Sequence, residues 1–511
     1  MYRCKTICII IAGLLLILTT SQIAIADNNW YMFRHDPQHS GHTTSQAPDY
    51  KYLLWMERAG DYVRSSPAVV DGWVYMGSHG GVDVSETWGR INCFNSETGE
   101  KKWEYNTDNW VFSSPTVVNN RVYCGCNDFK LYCLDAVTGN YLWDYQAGHW
   151  IVSSPTVFNG RVYFGSLDTN IHCIDADDGS FIWSYDTGRA IHSSPAVVND
   201  RLYIGSSDGK LYCLDAVTGG FIWSKSLGNI HSSPTVFDNK IYVCSIHLDP
   251  SDDSYYGILH CINTLTEEQI WSKRIGYVTS SPAIYNNRVY IGSYDWKVYC
   301  FNANNGNQIW DYKTNGKITH SSPAIADGKI YIGADLDVYC LDVSDGSYLW
   351  SYTTDWSVYA SPTVANGKVY VGSEDGNLYC FSNPPSTPPN RPEIIGQTNG
   401  EPGVEYEYMI SAIDPDGDDI YFIIDWGDNQ KETLGPYPSG ELIKKTHQWD
   451  NKNTYTITVS AKDTHGAEGY VSRLDVKMSK NKAVFSNIFL QIFLERHPII
   501  YQLLNYLLDK N

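Results

Sequence analysis

The chain has 511 residues, with 37 Lys and Arg against 57 Asp and Glu for a formal charge of −20, and 43% of it is hydrophobic. That is apolar material for several domains' worth of core, and an acidic balance without any Lys/Arg-rich run argues against a protein that grips nucleic acid by neutralising phosphates. The 39 Tyr, 17 Trp, 41 Gly and 21 Pro favour short strands and tight turns over long helices, so the expectation is an all-β protein.

Residues 1–26 read as a cleavable secretory signal: Arg3 and Lys5, an apolar run from Ile9 to Leu18, then Ala24-Ile25-Ala26. An uncleaved anchor is the alternative, disfavoured because the apolar stretch is short for a span. Residues 27–50 then precede the first repeat.

From residue 51 the chain repeats at about 40 residues. Ser-Ser-Pro recurs with Pro67, Pro115, Pro155, Pro195, Pro234, Pro282 and Pro323, and an eighth copy reads Ala360-Ser361-Pro362. A tryptophan series runs Trp55, Trp103, Trp143, Trp183, Trp223, Trp271, Trp310 and Trp350, and a cysteine series runs Cys93, Cys133, Cys173, Cys213, Cys261, Cys300, Cys340 and Cys380. One unit, Ser193 to Gly228, predicts four strands, Ser194–Val198, Arg201–Ser206, Leu211–Asp215 and Phe221–Ser226, with turns between them. Four antiparallel strands repeated radially make a propeller blade. The proline marks the innermost strand, because a residue without an N–H is tolerated on a sheet edge. Trp55 precedes the first Ser-Ser-Pro and no Trp strand follows Cys380, so Tyr52 to Arg58 is expected to supply the outer strand of the last blade. The expectation is therefore an eight-bladed propeller over 51–382.

The segment Cys133-Leu-Asp135-Ala-Val-Thr138-Gly139-Asn-Tyr-Leu-Trp143 resembles the tryptophan-docking motif of pyrroloquinoline-quinone (PQQ) propellers, with Cys in place of the usual Ala. Cys213, Asp215, Thr218, Gly219 and Trp223 repeat it, while Asn95, Asn263 and Asn302 replace the Asp elsewhere. The resemblance covers residues 30–382, including an opening Trp30 to Gly41 similar to the segment that precedes such propellers. It implies a docking role for the eight tryptophans, each a large apolar plate covering the neighbouring blade. The cysteines read as small buried hydrophobes, since equivalent positions in adjacent blades lie too far apart for a disulfide. Cys124-Gly125-Cys126 puts two further thiols on one strand face.

This quinoprotein-like family includes PQQ-dependent alcohol and sugar dehydrogenases as well as non-enzymatic scaffolds. The dehydrogenases resemble one another in a vicinal Cys-Cys pair and long loops carrying calcium ligands and a catalytic Asp, and neither is recognisable here. The longer spacings, Pro67 to Pro115 and Pro234 to Pro282, hold only the insertions Gly80–Arg90 and His247–Leu259. The reading leans away from an enzyme, expects no cofactor, and keeps PQQ with Ca²⁺ for the dehydrogenase alternative. No catalytic residue is nominated. What varies while the scaffold repeats is the loop entering each inner strand. Arg64, Trp110, Phe112, Trp150, Arg189, His192, His231, Tyr277, Lys317, His320, Trp356 and Tyr359 are expected to gather round one channel mouth as an aromatic and cationic rim. The plainer reading is that they only cap the blade ends.

After Ser382 comes a Pro-rich linker, 383–391, of the extended kind. Residues 392–479 resemble a polycystic-kidney-disease (PKD) type immunoglobulin-like domain through Asp414-Pro-Asp416-Gly417-Asp418, Asp425-Trp426-Gly427-Asp428 and Tyr455 to Asp463. Asp414, Asp416 and Asp418 are candidate Ca²⁺ ligands, weighed against turn-capping. The tail, 480–511, places apolar residues at helical spacing in two short amphipathic stretches either side of Pro498. The order of these parts resembles archaeal exported surface proteins. The expected function is a non-catalytic exported binding or adhesion module at the cell surface. Its partner would be a surface protein or a glycan, not nucleic acid, and the tail would give peripheral association with the envelope. A carbohydrate-binding protein using the aromatic rim is a further alternative.

Overall fold

The computed structural model describes residues 28–81, 87–384 and 386–479. The expected signal segment and the helical tail lie outside the described residues. Every named element is a strand, and they include eight four-stranded antiparallel sheets.

Blade 4 shows how sequence becomes sheet. Its strands are Ala196–Val198, Arg201–Gly205, Lys210–Asp215 and Phe221–Ser226, hydrogen-bonded in chain order from the channel outward. The two middle strands are apolar without alternation at Leu202–Ile204 and Leu211–Leu214, because neighbouring blades cover both of their faces. The inner strand is shorter than the expected Ser194–Val198. Pro195 has no N–H to give, and the Ser194 N–H leaves the blade to donate to Ser233 Oγ of the next one at 2.9 Å.

Every blade carries a β-bulge beside its cysteine. In blade 4 Cys213 faces Trp223 but Leu214 faces Phe221, so Ile222 is the extra residue. The same shift occurs in the other seven blades. A bulge bends the strand and re-aims its side chains. Here it accompanies a tryptophan laid over the next blade: Trp183 covers Gly219, where an added Cβ would sit 2.6 Å from the ring, and its Nε1 donates to Ala216 O at 3.2 Å. Seven of the eight docking tryptophans are buried, and Trp103 is half-buried.

The ring closes as the strand count requires. Tyr52–Arg58 pairs antiparallel with Asn377–Ser382, the third strand of the last blade. A second closure runs round the channel. The second serine of each Ser-Ser-Pro or Ala-Ser-Pro accepts at Oγ the amide N–H of its counterpart one blade back, giving eight bonds of 2.9–3.0 Å, the last from Ser361 N to Ser66 Oγ.

Beyond the propeller lie a three-stranded sheet, Glu393–Gly396, Glu405–Ser411 and Ile443–Gln448, and a five-stranded sheet built on Ile420–Asp425 and Thr454–Asp463. Their inner faces meet in a core containing Tyr408, Phe422, Trp426, Trp449 and Ile457. The linker is docked, not a free spacer. Pro388 and Pro389 are buried, Asn390 N donates to Ile413 O at 2.8 Å, and Tyr50 meets Tyr470 at 6.4 Å between ring centroids.

Candidate functional site: the channel cavity

Inner strands of a propeller are edges, with backbone donors facing the channel that need partners. The segment ahead of the propeller supplies them. Trp30 pairs with Val69, and then Tyr31, Pro37, Gln38, Ser40 and Gly41 offer carbonyls to the amides of Val117, Val197, Val236, Ile284 and Ile325 at 2.7–2.9 Å. One strand in each of six blades is thereby tied to this segment. Arg34, 2% exposed, donates Nη1 to Pro323 O and Nη2 to Pro282 O, and a Cβ on Gly41 would collide with its guanidinium. Burial pulls Arg34 down to about 9, with Asp36 opposing the shift. The segment closes one side of the channel, and Phe33 is its contribution to the cavity above.

That cavity holds about 350 Å³, within the range of small-ligand pockets. All eight second serines line it. So do seven of the twelve rim candidates: Arg64, Phe112, Trp150, His192, His231, His320 and Tyr359. Trp110, Arg189, Tyr277, Lys317 and Trp356 do not. Trp110 stands behind Phe112, with ring centroids 5.6 Å apart and its Nε1 donating to Gly80 O, and Tyr277 packs edge-on to Tyr294. Arg189, Lys317 and Trp356 are exposed outside the lining. Their position upstream of the Ser-Ser-Pro pair carries them past the lip of the channel.

The wall has two characters. Phe112, Trp150, Val152 and Leu167 form an apolar sector, while His192, His231, Thr279 and His320 form a polar one, with Tyr359 and Arg64 completing the circle. The Arg64 guanidinium lies 5.2 Å from the Phe112 ring centre and 5.3 Å from that of Tyr359, and its Nε donates to the buried Glu374 at 2.6 Å. His192 and His231 pack with ring centroids 4.4 Å apart, and His320 meets Tyr359 edge-on at 5.6 Å. None of these three imidazoles hydrogen-bonds to a described residue. Burial, then the neighbouring His231 and His320, push His192 down to about 4. Burial also lowers His231. His320, open to the cavity but crowded by its walls, is pushed to about 4 by desolvation, Arg64 and His231. All three are therefore neutral at pH 7, each able to donate from one nitrogen and accept at the other.

Sequence reasoning missed Phe33, Leu167, Glu374 and the serine ring. Only the serines carried a signal, their recurrence in every repeat. The Cys124 and Cys126 thiols are fully buried, donating to Ser113 O and Asn109 O. The eleven described cysteines are all free. In the His247–Leu259 insertion, Asp249 pairs with Arg274 at 2.7 Å and caps its own turn. Of the candidate Ca²⁺ ligands Asp414, Asp416 and Asp418, two are brought together in the structure. Asp418 and Asp414 converge with Asp463, whereas Asp416 is exposed and accepts the Thr387 amide at 2.6 Å.

The lining does not suit a quinone tricarboxylate held with Ca²⁺. Among the described lining residues there is no carboxylate or side-chain amide oxygen for a hard cation, and the single permanent cation, Arg64, is already paired with Glu374.

Fold and cavity together define a PQQ-repeat propeller. The profile described as outer membrane protein assembly factor BamB matches residues 39–149, 127–188, 167–258 and 251–400, and the chain belongs to that family. Among solved structures, BamB from Moraxella catarrhalis aligns at 21% identity over 65% of this chain and 97% of that one, with a TM-score of 0.54. A europium-containing methanol dehydrogenase aligns at 12% identity over 70% and 98%, also at 0.54. At these identities the likeness is one of fold. The PKD domain of an M14-like peptidase from Thermoplasmatales archaeon SCGC AB-540-F20 is 43% identical over 19% of this chain and 99% of its own length, with a TM-score of 0.18. No curated protein matches the chain.

Proposed function

We propose that the protein is a non-catalytic exported binding module whose propeller takes a small group of a partner, a sugar residue or a peptide side chain, into the channel cavity. The observation that carries this reading is a cavity of about 350 Å³, backed by the N-terminal segment and faced by three neutral imidazoles without a described hydrogen-bond partner. Neutral imidazoles and serine hydroxyls suit hydroxyl- or amide-bearing ligands, and Trp150 and Phe112 offer flat apolar faces for the rest. Among the described lining residues no serine hydroxyl is hydrogen-bonded to an imidazole and no carboxylate offers a hard-cation set, which favours binding over turnover. The signal-like residues 1–26 support export, and the family's description as an assembly factor is that of a protein that works by binding others.

The test uses Trp150 as its own reporter. Glycans, peptides, and PQQ with Ca²⁺ are titrated against the mature protein while tryptophan fluorescence and dye-linked alcohol or sugar oxidation are followed. A saturable glycan or peptide response, lost in Trp150→Ala and unaccompanied by oxidation, is the expected result. Stoichiometric PQQ binding with turnover overturns the proposal in favour of a dehydrogenase.

A further inference from the structure

Away from the propeller channel, three carboxylates converge where the linker meets the sandwich. Asp414 and Asp418 lie on the loop between strands Glu405–Ser411 and Ile420–Asp425, and Asp463 ends strand Thr454–Asp463. One oxygen from each lies within 4.8 Å of the other two. Asp463 is 1% exposed and Asp414 3%. Asp414 Oδ1 accepts the amides of Asp416 and Asp418 at 2.9 and 3.2 Å, but its buried Oδ2 has no partner among the described residues. Asp463 accepts from Ala467 N at 2.8 Å and Ser386 Oγ at 2.6 Å, and Asp418 contacts His465 Nδ1 at 2.8 Å. Among the described residues no Lys or Arg pairs with any of the three.

Three carboxylates converge here on one point, and the buried Asp414 Oδ2 that no described donor reaches marks the place where a cation belongs. We propose that Asp414, Asp418 and Asp463 bind a single Ca²⁺, and that the ion clamps the linker to the sandwich. The donors are all oxygen, which disfavours Zn²⁺. An all-oxygen set with irregular carboxylate donors suits Ca²⁺, which takes about six to eight oxygens in flexible geometry, better than Mg²⁺, which demands a near-ideal octahedron and keeps its waters. Solvent and nearby backbone oxygens complete the shell. Ser386, bonded to Asp463, and Thr387, bonded to Asp416, are both linker residues, and Asn383 at the linker's start accepts the Asp49 amide at 2.7 Å. An ion at this point therefore fixes the joint between propeller and sandwich.

The experiment takes the mature chain, stripped with a chelator, through calorimetric titration with Ca²⁺ and then Mg²⁺, followed by limited proteolysis across 383–391 with and without Ca²⁺. One Ca²⁺ per chain is expected, with weaker Mg²⁺ binding, a raised melting temperature in Ca²⁺ and slowed linker cleavage. Asp418→Asn, at a half-buried position, should weaken Ca²⁺ at least tenfold and make cleavage insensitive to it. Asp463→Asn should do the same where it folds. No binding up to millimolar Ca²⁺, or unchanged binding in Asp418→Asn, overturns the site. Binding without any change in linker cleavage overturns the clamp.

Discussion

Trp183 does with one side chain what a blade interface needs, a buried plate and an N–H for the neighbour's carbonyl. Trp55, Trp103, Trp143 and Trp271 make the same bond, whereas Trp223, Trp310 and Trp350 dock as plates whose Nε1 has no partner among the described residues. Trp183→Ala should cost about 3–5 kcal/mol, read by denaturant unfolding, and Trp103→Ala, at a half-buried site, less. Blade 5 departs from the pattern, with Glu267 at φ 62° where the six other blades with this turn use glycine. Since a left-handed non-glycine residue costs about 1–2 kcal/mol, Glu267→Gly should stabilise by about 1 kcal/mol in the same assay. Buried histidines set the acid response. Burial holds His39, His192 and His260 at about 4, against about 6.5 in an unfolded chain. Between those values the unfolded state binds more protons, so stability is full above pH 6.5 and falls as pH drops toward 4. A melting temperature that declines across that window, with a shallower slope in His192→Gln, is the expected outcome. Tryptophan, glycine and cysteine roles were legible because they recur in register. The second serine's role was hidden, because its partner is a backbone amide one blade away.

Among the elements, the segment over residues 30–43 has no periodic pattern of its own, and the resemblance to propeller openings was the only sign of it. Its structure is dictated by what it covers, the inner-strand amides of six blades. Deleting residues 28–43 should lower the unfolding free energy by about 1 kcal/mol for each lost bond, while the serine ring keeps the propeller closed. Denaturant unfolding of the truncated chain measures this, and an unchanged midpoint would remove the segment's structural role. Strand boundaries were read well where apolar runs end in turns. They failed at the inner strand, where Ser194 and Pro195 serve the neighbouring blade, and they gave no sign that the insertion His247–Leu259 lengthens the hairpin strands Lys240–Leu248 and Tyr255–Asn263.

For the molecule as a whole, counting Trp and Cys strands was enough to predict closure through Tyr52–Arg58. Asp463 was not legible as a partner of Asp414, because nothing in a local motif tells which distant strand end the fold will bring beside it. Five of the twelve rim candidates stayed outside the cavity for a similar reason: chain position upstream of a strand does not fix how far along the channel axis a side chain sits. The mixed parentage of the last blade has a consequence for how the chain is made. Ser66 and Ser361, neighbours in the finished ring, are 295 residues apart in sequence, and contacts of such separation are slow to form. On a ribosome or in a translocon that delivers the N-terminus first, Tyr52–Arg58 waits as an unpaired edge strand until Asn377–Ser382 emerges. Early blades can assemble as they appear, but the ring locks only when the end of the propeller arrives to claim its beginning.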